Sequence, residues 1–218
     1  VAWDQFLLPD AAPALASAAS DVALSVTEDD GKIVVSGKEM TATFNKKTGA
    51  LASLTLAGTE LMESPLRPDF WRGLIDNDRG RGMDKTQGVW KTAHENIEVE
   101  EMKVEENSGR VVVTANLSLP DVNARWTTRY TVLNTGEVLV AAEFVPRKTD
   151  LPKLPRLGMQ MIVPAGFEKL TWLGPGPQET YIDRKDAPIG RYSGTVAEQF
   201  CYDYVEPGES GNKVDVRW

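Results

Sequence analysis

From Val22 onward, apolar and polar residues alternate along most of the chain. A period of two is that of a strand with one face on a core and the other in water. Met40, Ala42 and Phe44 alternate with Thr41, Thr43 and Asn45; Lys46-Lys47-Thr48-Gly49 supplies a turn, and Leu51, Leu54 and Leu56 resume. This predicts a hairpin. Ile97 and Val99 fall on odd positions, Met102 and Val104 on even ones, so Glu100-Glu101 at the phase change predicts a bulge. Further strands are expected over 111–119, 125–133 and 138–145, separated by Asn134-Thr135-Gly136 and preceded by Asn107-Ser108-Gly109. Leu157, Met159, Met161 and Val163 alternate in the same way. Short strands at this spacing, broken by Gly, Asn and Pro, predict an all-β, antiparallel sandwich rather than βαβ units.

The ends depart from this pattern. Residues 1–9 read as one short strand anchored by Trp3 and Phe6, and the Ala/Pro/Ser-rich residues 10–20 as a linker, in which Pro13 disfavours a helix. The main domain is then 21–218. Val214-Asp215-Val216-Arg217-Trp218 alternates like a strand and stops, and residue 1 is Val, so a piece of a longer protein is expected. An unpaired edge at that end would favour self-association into a homo-oligomer.

Composition narrows the function classes. With 218 residues, 41% of them hydrophobic, the chain can bury a substantial core. A net charge of -8 and a pI near 4.8 repel phosphate backbones and argue against nucleic acid as a partner. Apolar runs are too short to span a bilayer, so no membrane partner is expected. One cysteine, Cys201, excludes an internal disulfide but does not separate cytoplasm from bacterial periplasm. One histidine, His94, argues against a zinc site built on imidazoles, and neither P-loop nor GxGxxG is present, so no metal or cofactor is expected.

Three stretches carry candidate chemistry. In Phe70-Trp71-Arg72-Gly73-Leu74-Ile75-Asp76-Asn77-Asp78, rings could stack on a sugar face while carboxylates and amides bind its hydroxyls; on residue types alone the favoured reading is that the rings are core and the Asp/Asn a turn. The stretch that follows, Arg79 to Gly88, has three glycines and no strand period. It predicts a mobile surface loop, either passive or a lid. Leu173-Gly174-Pro175-Gly176-Pro177-Gln178-Glu179-Thr180-Tyr181-Ile182-Asp183-Arg184 is the densest. Its Gly and Pro residues fix a tight path, and Glu179, Asp183 and Arg184 form either a sugar site or a structural ion-pair network, the latter favoured. No spacing selects a glycosidase acid pair among Asp76, Asp78, Glu179, Asp183, Glu206 and Glu209.

Three motifs in order resemble those of the C-terminal region (small chain or fifth domain) of glycoside hydrolase family 2 β-galactosidases. Phe70-Trp71-Arg72 … Asp76-Asn77-Asp78 resembles F-W-R-A-P-T-D-N-D; Gly174 to Arg184 resembles G-x-G-P-x-E-x-Y-x-D-R; Tyr204-Val205-Glu206-Pro207-Gly208-Glu209-Ser210-Gly211-Asn212-Lys213 … Arg217-Trp218 resembles Y-V-x-P-Q-E-x-G-x-R followed by R-W. Leu154-Pro155-Arg156-Leu157-Gly158 also fits the family, and Val1 to Phe6 resembles the last strand of a preceding immunoglobulin-like domain. Departures are Gly73-Leu74-Ile75 for Ala-Pro-Thr, Gly208 for Gln, Lys213 for Arg and Asp203 for Pro.

The resemblance implies a galactose-mutarotase-like supersandwich in a parent enzyme that hydrolyses terminal β-D-galactosides. It also implies that catalysis belongs to a TIM barrel elsewhere, with no catalytic residue here, and that this chain's partners are the barrel and immunoglobulin-like domains, with galactoside contacted indirectly. The loop after Asp78 resembles a mobile active-site loop with Gly80 and Gly82 as hinges. Trp71, Arg72, Asp76, Asn77, Asp78, Gly80, Arg81 and Gly82 are thus candidates for loop or sugar contact. Gly174, Gly176, Pro177, Glu179, Tyr181, Asp183 and Arg184 are expected to be structural. Two rival readings are an autonomous carbohydrate-binding module using Trp71, Trp90 and Trp172, and a sugar epimerase using His94 with a glutamate.

Overall fold

The computed structural model describes Gln5 and residues 23–200 and 210–217. The expected strand over 1–9, the linker over 10–20, Cys201, the motif residues Tyr204 to Glu209 and Trp218 lie outside the described residues, save Gln5. The chain divides into two units, one drawn from Ser17–Arg72 and Asp84–Pro164, the other from Val1–Ala16, Gly73–Met83 and Ala165–Trp218.

The first unit is built mainly of antiparallel sheet. Its larger sheet takes β1 (Ser25–Glu28), β2 (Lys32–Ser36), β3 (Met40–Asn45), β4 (Ala50–Leu56), β5 (Thr59–Glu60), β6 (Ser64–Asp69) and a late strand over Gly158–Ile162. The expected hairpin is β3–β4, paired from Met40 with Leu56 to Asn45 with Ala50. The second sheet is a meander of β7 (Glu98–Asn107), β8 (Arg110–Leu119), β9 (Ala124–Leu133) and β10 (Val138–Pro146). Its register slips between Val99 and Glu101, where the phase change predicted a bulge. The late strand, β11, carries its own slip between Gln160 and Ile162, so the alternation from Leu157 to Val163 does not give one continuous face. Met159 packs on the core, whereas Leu157, Met161 and Ile162 are exposed.

The alternating positions of both sheets meet face to face. Ile33, Val35, Ala42, Phe44 and Leu51 of the larger sheet pack with Val111, Val113, Tyr130 and Val132 of the smaller. A second cluster gathers on Phe70, which follows β6 directly and is 0% exposed. Its ring lies 5.5 Å from Trp126 in an edge arrangement, 5.6 Å from Trp90 and 5.6 Å from Phe144. Aromatic contacts of this geometry add to area burial. Trp90 donates its indole N–H to Pro152 O at 3.1 Å, so a large apolar ring is buried without leaving its polar group unsatisfied.

Residues 79–88, expected as a loop, lie within a run of short helices over 76–92. These are α1 (Asp76–Gly80), α2 (Met83–Thr86) and α3 (Val89–Thr92). Each is too short to show a 3.6-residue period, and each is anchored by burial of one residue: Asp78, Met83 and Trp90 respectively. The second unit adds the hairpin β12 (Lys169–Pro175) with β13 (Ile189–Thr195). Residues 214–217 are irregular rather than the expected strand, with Asp215 in the left-handed region at φ 58°. No helix among the described residues is long and apolar enough to cross a membrane.

One close approach sets the β3–β4 turn. Gly49 has φ +68°, and a Cβ there would lie 2.5 Å from Leu117 Cδ2 and 3.2 Å from Ala115 Cβ. Gly49→Ala should therefore destabilise by about 1–3 kcal/mol through overpacking added to backbone strain. Gly58, at φ +78° with nothing near its virtual Cβ, should show the backbone strain alone. Urea unfolding of both variants measures the difference.

Candidate functional site

The Gly174–Arg184 motif forms a compact corner at the end of β12. Its glycines are required by neighbours. A Cβ on Gly174 would come 3.0 Å from Val216 Cα, and one on Gly176 would come 2.7 Å from Tyr192 Cδ2 and 3.1 Å from Trp172 Cζ2. Gly176 therefore seats against the Trp172–Tyr192 ring pair, whose centroids are 5.4 Å apart. The Gly176–Pro177 peptide is cis.

Polar groups then project from this path in a fixed order. Glu179 Oε1 accepts from Arg184 Nη2 at 2.6 Å, and Oε2 accepts from the Gly211 N–H at 2.9 Å. Tyr181 and Arg184 exchange backbone hydrogen bonds of 3.0 Å each way, closing a tight turn, and the guanidinium lies 5.2 Å from the Tyr181 ring centroid. A charge-assisted pair with the carboxylate side chain only 10% exposed is stronger than a solvated surface pair. Asp183 is exposed.

Thr180, 1% exposed, grips the segment over 210–217. Its N–H donates to Asn212 O at 2.7 Å, its carbonyl accepts from Asn212 Nδ2 at 3.1 Å, and its Oγ1 accepts from the Val214 N–H at 3.0 Å. Lys213 Nζ donates to Pro177 O at 3.3 Å and sits 4.7 Å from the Trp172 ring centroid. Burial lowers the Lys213 pKa, with the Glu179 charge opposing. The second sequence motif thus holds the end of the third. Thr180 and Asn212 escaped sequence reasoning, because nothing local marks a neutral hydroxyl and an amide as long-range partners. Lys213 was noted there only as a departure from Arg. The corner borders a cavity of about 470 Å³ lined by Glu179, Thr180, Arg184, Asp186, Glu198 and Lys213 among others.

The residues around Asp78 form a second constellation. Asp78 is 0% exposed; its Oδ2 accepts from the Ile75 N–H at 3.2 Å, and its Oδ1 takes Arg81 Nη2 at 2.9 Å. Acidic Asp76 and Asp78 in the first turn and Arg79 in the last complement the helix dipole of α1. Asp76 is exposed and pairs with Arg79 at 3.2 Å; Asn77 and Gly80 are exposed. Gly82 adopts φ +63° with open space around it. Trp71 is half-buried against the Phe70 cluster, its N–H bonded to Asp69 Oδ1 at 3.3 Å, and Arg72 is half-buried.

Trp90 and Trp172 are buried at 1% and 5% exposure, so neither offers a free face for stacking on a sugar. His94 follows α3 in the first unit; burial and the nearby Arg67 charge lower its pKa, with Glu95 and Asp69 opposing. Among the described residues no group of three or more His, Cys, Asp or Glu could hold a metal ion.

Face-to-face antiparallel sheets with a glycine-proline corner holding its charges in internal pairs define a β-sandwich module. Its family follows from comparison with known proteins. The chain matches the family model described as β-galactosidase small chain over residues 36–218, and it belongs to that family. It is 36% identical over 219 residues to a β-galactosidase of Priestia megaterium, covering 100% of this chain and 21% of that protein. A β-galactosidase of Halalkalibacterium halodurans is 34% identical over 89% of this chain and 20% of its own length. The β-galactosidase BgaC of Bifidobacterium adolescentis is 31% identical over 84% and 18% respectively. The chain spans about a fifth of the length of these relatives.

If Thr180 holds the segment over 210–217, Thr180→Val removes the acceptor for the Val214 N–H at a buried site. The expected cost is about 1–3 kcal/mol. Hydrogen exchange should speed at Val214 and Arg217 while the β8–β9 amides keep their protection.

Proposed function

We propose that this chain is the non-catalytic C-terminal β-sandwich domain of a glycoside hydrolase family 2 β-galactosidase, an enzyme that hydrolyses terminal β-D-galactosides. The observation that carries this reading is the match to β-galactosidases along the whole chain, over only about a fifth of their length. The chemistry needs two carboxylates free to act as acid and nucleophile or base. Among the described residues the two most shielded candidates are committed, Asp78 to Arg81 and Glu179 to Arg184 and the Gly211 N–H. In this reading a TIM barrel elsewhere in the parent supplies the catalytic pair, residues 1–9 close a preceding immunoglobulin-like domain, and residues 10–20 link it to the domain over 21–218.

The segment from Arg79 to Gly88, with Asp76 to Asp78 before it, contributes the active-site loop. Its charged side chains are exposed at Asp76, Arg79 and Arg81, and Gly82 supplies a backbone conformation that other residues adopt only at a cost. Trp71 and Arg72 precede it as candidate contacts. Glu179, Tyr181 and Arg184 serve the scaffold.

The isolated chain should give no turnover of a chromogenic galactoside. In the parent enzyme, Gly82→Ala should change kcat and KM together, lowering kcat/KM by about tenfold, with a stability loss of no more than the roughly 1–2 kcal/mol of left-handed backbone strain. Ordinary turnover by the isolated chain would refute the non-catalytic assignment, and unaltered constants in the variant would refute the loop.

A further inference from the structure

The two sheets of the first unit end in four strands, β7 and β10 in the smaller sheet and β1 and β11 in the larger. A terminal strand presents a row of unpaired N–H and C=O groups, and proteins blunt such edges with charge, brevity or a bulge. β7 carries Glu98, Glu100, Glu101, Lys103, Glu105 and Glu106, so charge guards most of its length. β1 has four residues, and β11 has five with a register slip between Gln160 and Ile162. β10 has none of these devices. It runs nine residues in unbroken register with β9; Glu143 is its one charge, and its proline, Pro146, stands at the last position. Leu139, Val140 and Val145 are exposed on it.

The direction of its main-chain groups follows from the two ends of the β9–β10 pair. The Leu133 N–H donates to Glu137 O at 2.8 Å, and the Arg147 N–H donates to Asn123 O at 2.9 Å. Odd-numbered residues therefore turn their main-chain groups to β9. Because these groups alternate along a strand, the N–H and C=O groups of Val138, Val140, Ala142 and Phe144 point away from it. Among the described residues no strand pairs with that side of β10. Side chains alternate as well. Val140 and Ala142 stand on the face of their buried register partners Tyr130 and Thr128, and Leu139, Ala141, Glu143 and Val145 stand on the other. Residues 214–217, where the sequence pattern predicted an open edge, are irregular and offer none.

The occupant of such an edge is another extended strand, mostly apolar, that leaves room for one carboxylate. A second copy of β10 fits. Antiparallel pairing about a two-fold axis at Ala142 matches all nine residues: Val138 meets the partner's Pro146, Leu139 the partner's Val145, Val140 the partner's Phe144 and Ala141 the partner's Glu143. The outward-pointing Val140, Ala142 and Phe144 then fall in hydrogen-bonded pairs. An axis at Glu143 would set two carboxylates opposite each other, and an axis at Ala141 would leave Val145 and Pro146 beyond the pairing. Charge is complementary in the Ala142 register. Arg129 of β9 is exposed and lies opposite Ala141. The partner's Glu143 lies beyond that alanine, about 10 Å from Arg129 between Cα atoms, a span that two long side chains cover above a methyl group. We propose that β10 is a self-association edge, at which two copies of this chain pair antiparallel about Ala142 and continue the smaller sheet from one protomer into its partner. The inference does not depend on reading the chain as part of a galactosidase.

The test uses the 218-residue chain. Sedimentation equilibrium should show a monomer–dimer equilibrium with Kd of about 100 μM or tighter, toward the weak end as suits an interface built on one strand. As concentration rises through that range, the amides of Val140, Ala142 and Phe144 should gain protection from exchange, while those of Leu139, Ala141 and Glu143 keep what β9 already gives them. In a mixture of labelled and unlabelled chains, an intermolecular Hα–Hα contact between Ala141 and Glu143 reports the register, and its absence from a dimer would overturn the Ala142 axis. Ala142→Pro removes two intermolecular hydrogen bonds and none to β9, and should raise Kd at least about fivefold. Leu139→Lys sets a charge against the partner's Val145 and is the second variant should the proline variant not fold. A monomer at about 1 mM, a dimer with no new protection at the three even-numbered amides, or a dimer that a folded variant leaves unchanged would each overturn the proposal.

Discussion

The fold depends on removing the Phe70 ring from water between two sheets. It touches Trp126 of the smaller sheet, Phe144 on that sheet's edge and Trp90 of α3, so one side chain ties together elements more than seventy residues apart. Full burial of such a ring contributes roughly 1.5–3 kcal/mol by area alone, and its edge contacts add to that. Truncating it would also open a cavity whose walls come from both sheets and from α3. Because Phe70 immediately follows β6, the same anchor fixes where the chain leaves the larger sheet and begins the segment toward Asp76.

The second unit relies on a different device. Its corner is held by backbone closeness and paired charge. Gly174 and Gly176 admit Val216 and the Trp172–Tyr192 pair, and Glu179 joins Arg184 to the Gly211 N–H. An unpaired Glu179 in that position would carry the cost of a shielded charge, so Arg184 and Gly211 act as a requirement on each other's placement. This explains physically why a stretch rich in charged and aromatic residues can be a structural element. The cavity beside the corner is lined by both members of the Glu179–Arg184 pair, with Thr180 and Lys213.

Legibility in the sequence followed the range of the interactions. The β3–β4 hairpin and the bulge near Glu100 could be read because a period of two, and a slip in it, are local properties. The late strand over Gly158–Ile162 was legible as a strand but not as an interrupted one, since the slip is set by its pairing with β6. The helices over 76–92 were not legible, because one turn shows no period and Asp78, Met83 and Trp90 are held by burial. Val214 to Arg217 alternates like a strand, yet Asp215 at φ 58° breaks the extended path. In the corner, the attraction of Glu179 for Arg184 could be read from residue types five apart. The grip of Thr180 on Asn212 and Val214 could not, since its partners lie more than thirty residues away. Trp90 and Trp172 illustrate the remaining ambiguity: a tryptophan near polar residues reads equally well as a stacking platform or as core.

The central claim is that the motif carboxylate holds the scaffold and takes no part in proton transfer. Glu179→Gln in the proposed parent enzyme separates the two directly, because it removes the charge while keeping the shape. The account predicts a lower unfolding free energy, by about 1–3 kcal/mol, with both limbs of the pH dependence of kcat/KM where they were. Loss of one limb at unchanged stability would contradict it.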